Sequence, residues 1–137
     1  MLKPDGKLVI STWGKGDDRW EWLSALSRQS APDQPQQPDR RSPAPTFDTQ
    51  ERLENALSEA GFTNIQVREV AQEFLYASPE EWWDTQWSHG ARIFLERMPP
   101  EALEQGRAFA YKKMAEIAQP DGIPMLMRAL FASATKR

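Results

Sequence analysis

The chain has 137 residues, a formal net charge of −3 and no cysteine. That length suits one domain, and the acidic balance argues against a nucleic-acid footprint, which needs a clustered basic face. The lack of cysteine excludes disulfides, thiol catalysis and thiolate metal sites.

Lys3-Pro4-Asp5-Gly6 reads as a tight turn. Pro4 presets φ at the first corner, and Gly6 is expected to take the positive φ. Leu8-Val9-Ile10 follows as an unbroken apolar run, which suits a strand covered on both faces. Such a strand needs neighbours on both flanks, so part of a domain is expected beyond this chain. Ser11, Thr12 and Trp13 sit at its carboxyl end, before Gly14-Lys15-Gly16.

Arg19 to Arg28 shows helical spacing at Trp20, Leu23 and Leu26, with Asp17 or Asp18 as the cap. Residues 29–46 then change character, with five prolines among Gln, Ser, Asp and Arg. Such a stretch cannot bury enough apolar surface to offset its ordering entropy. It reads as a flexible linker or as a lid that orders over a ligand.

Asp48-Thr49-Gln50-Glu51 is a capping pattern with Asp48 as the acceptor. Leu53, Ala56, Leu57 and Ala60 form one apolar stripe, and Gly61 ends the helix in the left-handed conformation. Asn64 to Tyr76 alternates as a half-exposed strand, with its phase slipping near Glu69-Val70.

Ser78-Pro79-Glu80-Glu81 starts a helix with a second capping box. The stripe Trp83, Trp87, Ala91, Phe94 and Met98 continues it to Pro99-Pro100. Another helix covers Glu101 to Ala118. Ile123 to Thr135 suits either a strand or a helix by propensity.

No apolar run reaches the roughly 20 residues of a membrane span, so a cytoplasmic protein without a membrane partner is expected. His89 is the only histidine. It is a candidate general base, or simply a surface residue. No second histidine or cysteine accompanies it, so no metal site is expected. Gly14-Lys15-Gly16 lacks the third glycine and the later acidic residue of a dinucleotide fingerprint.

Leu2-Lys3-Pro4-Asp5-Gly6-Lys7-Leu8-Val9-Ile10 resembles the turn and fifth strand of class I S-adenosylmethionine-dependent methyltransferases, usually leucine-lysine-proline-glycine-glycine and an apolar strand. Asp5 stands where that family has its first glycine. Phe47-Asp48-Thr49, Leu53, Leu57 and Ala60-Gly61-Phe62 resemble the family's next helix and its ending, and Ala129 to Lys136 resembles the last strand. The likeness is to the C-terminal half only, of the ubiquinone/menaquinone-biosynthesis-like type.

The resemblance implies an α/β fold: the C-terminal half of a doubly wound Rossmann-like sheet. Three strands are expected, the last antiparallel between the other two, with about four helices. Residues 1–137 form one partial domain, with 78–118 as a helical insertion between the last two strands. The family holds S-adenosylmethionine with its N-terminal half, so no cofactor-binding residue is carried over and none is expected for this chain alone.

The resemblance also implies that the first two strands end on one edge of the sheet, where open α/β sheets bind ligands. Trp13, Trp20, Trp82, Trp83 and Trp87 then either wall a pocket for an apolar small molecule or fill the core. Ser11 and Thr12 either hydrogen-bond a substrate or end the strand. Two functions stay open. One is the substrate-side part of a small-molecule methyltransferase, inactive alone; the other is a stand-alone binding or assembly module reusing the half-fold. In both, the strand Leu8 to Trp13 is expected to pair edge to edge, with a second copy or with an N-terminal half chain.

Overall fold

The structure, a computed structural model, describes residues 2–29 and 46–137. The proline-rich segment read as linker or lid lies outside the described residues, apart from its two ends. The elements run β1 (Lys7–Trp13), a single 3-10 turn (Asp18–Trp20), α1 (Trp22–Gln29), α2 (Gln50–Glu59) and β2 (Phe62–Tyr76). They continue with α3 (Pro79–Gln86), α4 (Arg92–Leu95), α5 (Pro100–Ile117) and β3 (Ile123–Lys136).

The sheet has the order β1-β3-β2 and is antiparallel, so the last strand lies between the first two. Ile10 faces Ala132 across the β1–β3 ladder, and Leu8 faces Ala134. This is the order and direction that the resemblance implied. The ambiguity over 123–135 is resolved as a strand. Pairing on both sides outweighs a weak local propensity there.

The described residues form two compact units. The first joins the described residues up to Gly16, those of 46–72 and Leu126–Arg137. Its core packs Leu53 and Leu57 of α2 on Leu130, Ala132 and Ala134 of β3. Leu8 and Ile10 of β1 join from one side, and Ile65 and Val67 of β2 from the other.

One expectation fails here. β1 is not covered on both faces: Leu8, Ile10 and Thr12 are half-buried, while Val9 is 75% and Trp13 67% exposed. Within this unit α2 covers a single face, so alternate residues of the apolar run stay open. Phe131, opposite Ser11, is also exposed on that bare side. β2 alternates up to Val67, and then Arg68 to Leu75 are exposed without a break in the strand. Asn64, near the start of β2, takes a left-handed conformation at φ 51°.

Gly61 takes φ 82° as expected. The cap of α2 is Thr49, whose hydroxyl accepts from the Arg52 N–H at 3.3 Å. Asp48 is instead held by the Arg52 guanidinium at 2.7 Å, which keeps its carboxyl below the usual range. The opening turn corrects a second assignment. Gly6 N–H donates to the Lys3 carbonyl, and the residue with positive φ is Asp5, at 61°. The turn is therefore of the kind that prefers glycine at its third position. Gly6 serves proximity, since a Cβ there would lie 2.8 Å from the Lys3 oxygen.

The second unit contains the described residues from Asp17 to 29, together with Glu73–Met125. It holds α1 and α3 to α5. The single long helix expected from Pro79 to Met98 is broken after Gln86. Thr85, Gln86 and Ser88 side chains donate to the carbonyls of Trp82 and Thr85. Backbone bonds at Trp87 and Ser88 tighten to i→i−3, and the chain turns through His89 and Gly90 into α4. Side chains that compete for helical carbonyls outweigh the apolar stripe here.

Replacing Asp5 by glycine should remove the left-handed strain of an L-residue. We expect Asp5→Gly to stabilise the chain by about 0.5–1 kcal/mol. Urea unfolding at unchanged slope reads it; a lower midpoint would contradict the turn assignment.

Candidate functional site

The site is built on the core of the second unit. Asp17 caps the 3-10 turn by accepting from Arg19 N–H at 3.0 Å. The same carboxylate binds the Arg19 guanidinium, which also reaches Glu73 at 3.0 Å. These bonds fix Trp20, which is 4% exposed and donates its indole N–H to the Pro124 carbonyl at 2.9 Å.

Around Trp20 the aromatic rings gather. Trp22 stacks on it at 5.5 Å between centroids, and Trp82 lies 5.6 Å away, tilted. Trp83 adjoins Trp82 at 6.3 Å, and Phe109 of α5 meets Trp22 edge-on at 6.0 Å. Ala110 and Met114 of α5 are wholly buried beneath them. α3 is held in place by its cap. Ser78 Oγ accepts from Glu81 N–H, and Glu81 accepts from Ala77 N–H.

Beside this core, between α1, α3, α4 and α5, lies an apolar pocket of about 90 Å³. Trp82 and Trp83 form one wall; Leu26, Phe94 and Met98 contribute others. Among the described residues, Gln86 supplies the only polar side chain of the lining. Its amide nitrogen donates to the Trp82 carbonyl and to Thr85 Oγ, each at 3.0 Å. Among the described residues no charged side chain lines this space.

The residues singled out from sequence divide as follows. Trp20, Trp82 and Trp83 are core, and Trp82 and Trp83 also line the pocket. Trp87 packs half-buried against the same core. Trp13, Ser11 and Thr12 belong to the first unit, where Trp13 and Ser11 are exposed and Thr12 is half-buried. His89 stands exposed in the turn after α3. Core filling and pocket lining are thus combined in the same two tryptophans. Leu26 and Met98 are marked in the sequence only as helix-face residues, and Gln86 and Gly106 not at all; packing of the helices brings all four to the pocket.

Gly14-Lys15-Gly16 has a structural task. Gly14 N–H donates to the Arg128 carbonyl at 2.8 Å, and a Cβ at Gly14 would lie 2.8 Å from the Arg128 Cβ. The Arg128 guanidinium donates to the carbonyls of Lys15 and Gly16. The glycine makes room for β3. Among the described residues no group of three or more His, Cys, Asp or Glu could hold a metal. No described helix is long and apolar enough to cross a membrane.

No family model matches the chain, and no curated protein matches it. Among solved structures it is similar to Haemonchus contortus phospholethanolamine N-methyltransferase 2 in complex with phosphomonomethylethanolamine and S-adenosylhomocysteine. The identity is 17% and the TM-score 0.38, over 99% of this chain. The chain spans 28% of the length of that one.

The two stacked indoles differ in one respect. Trp20 has its acceptor, whereas the buried Nε1 of Trp22 has none among the described residues. Trp20→Phe should destabilise by about 2–4 kcal/mol, through lost volume and an orphaned Pro124 carbonyl. Trp22→Phe removes an unsatisfied donor and should cost at least about 1 kcal/mol less. Chemical denaturation of both variants checks this; equal losses, or the reverse order, would contradict the bonding scheme.

Proposed function

We propose that this chain is the C-terminal part of an S-adenosylmethionine-dependent small-molecule methyltransferase. It supplies the end of the sheet and the walls on the substrate side, and it is inactive alone. The observation that supports this reading best is β3 lying antiparallel between β1 and β2. Chain order alone would favour hairpins between neighbours. The motif resemblance implies the unusual order.

The resemblance carries no cofactor-binding residue onto this chain. No step through a sulfonium is therefore assigned to this chain. Its own contribution is positional. Apolar walls from Trp82 and Trp83 exclude water and hold a substrate at fixed orientation, which is where much of the rate of a direct displacement arises. His89 stays the candidate base, from an exposed turn.

The partner in this reading is the N-terminal half, paired along the free edge of β1. Val9 and Trp13 are exposed on that strand, and Lys7 is its only charge, so little along it deters strand addition. The test is calorimetry with S-adenosylmethionine. The chain alone should not bind it. The chain mixed with the polypeptide encoded immediately upstream should bind, and Val9→Lys should weaken that reconstitution. Micromolar binding by this chain alone would refute the reading. An upstream frame without a glycine-rich loop, with this chain a tight homodimer by light scattering, would favour the stand-alone module.

A further inference from the structure

The pocket of the second unit is bordered by a glycine that the backbone does not need. Gly106 lies inside α5, buried, with no positive φ. A Cβ built there would lie 3.5 Å from Leu26 Cδ1 and 3.7 Å from Met98 Cε, both ordinary contacts. Alanine would therefore fit without displacement. Glycine is also the poorest helix former after proline. Neither conformation nor close approach accounts for it, in contrast to Gly122, where a Cβ would lie 2.6 Å from the Tyr76 oxygen. What Gly106 does provide is room beside Leu26 and Met98, at the pocket wall.

We propose that this pocket is a binding site for a neutral, single-ring aromatic molecule, held open by the missing side chain of Gly106. Its walls are aromatic and aliphatic. A charged ligand would meet no partner in the lining and would lose its hydration uncompensated. Tryptophan walls offer offset and edge-on ring contacts. At about 90 Å³ the pocket is smaller than the engineered cavity of about 150 Å³ that takes benzene, so nothing larger than one ring is expected to fit it. Gln86 spends its N–H groups within α3, which leaves its carbonyl oxygen as the side-chain acceptor in the lining. A ring bearing one hydroxyl or N–H donor is the best match.

In taking this ligand for a substrate, the inference rests on the methyl-transfer reading; binding itself is measured without cofactor. The probes are phenol and benzene, with benzoate as the charged control, on the full chain. Melting temperature and tryptophan fluorescence are followed. At millimolar concentration both neutral probes should raise the melting temperature by a few degrees, phenol more than benzene, and benzoate should not. Gly106→Ala should fold, melt higher without ligand, and lower phenol affinity at least five-fold. Gly106→Val should abolish the shift.

No shift with either neutral probe overturns the proposal, as do shifts that stay unchanged in Gly106→Ala. Phenol binding by a chain that never reconstitutes cofactor capture would keep this site and remove the methyl-transfer reading. The converse pair of results would remove this site alone.

Discussion

β3 is the constraint on which everything else depends. One strand serves two hydrophobic cores. Its second half gives Leu130, Ala132 and Ala134 to the packing under α2. Its first residue, Ile123, belongs to the tryptophan core, and the Pro124 carbonyl takes the indole proton of Trp20. The small side chains of Ala132 and Ala134 let α2 approach the sheet closely, and larger ones would overpack it. β1 and β2 both pair with β3. Neither would have a partner in its absence, since an isolated strand cannot satisfy its own backbone.

The tryptophans show how a short chain obtains a rigid wall. Trp20, Trp82 and Trp83 each bury a large apolar area with few rotatable bonds. Trp82 and Trp83, adjacent on α3, are both buried. The same rings that hold the unit together also face its pocket. Stability and recognition are therefore coupled here, and substitutions of these tryptophans would perturb both. Gly106 is the position where the two are separable.

Much of this was legible locally. Ser78 with Glu81, Pro79 at the first helical position, and Gly61 past the end of α2 each act through bonds within one turn of chain, so sequence reports them directly. The strand order was legible only through motif resemblance, because β3 has a composition that propensity leaves undecided. What was missed depends on distant partners or on competition between near ones. Leu8-Val9-Ile10 reads as doubly covered, yet which face is covered depends on α2. Asp48 and Thr49 both offer an oxygen, and the Arg52 guanidinium decides between them. The apolar stripe through Trp87 and Ala91 predicts one helix, and hydroxyl and amide side chains end it early. The pocket was half visible: its tryptophans stand out, while Gly106 and Gln86 carry no signal until the helices are packed.

The most direct measurement is the map of cross-strand proton contacts by nuclear magnetic resonance. The account requires β3 to lie between the other strands, with Ile10 opposite Ala132 and Thr12 opposite Leu130. Contacts in that antiparallel register, together with contacts from β3 to β2 on its other side, are the expected result. Contacts joining β1 directly to β2, or a helical pattern along 123–136, would contradict it.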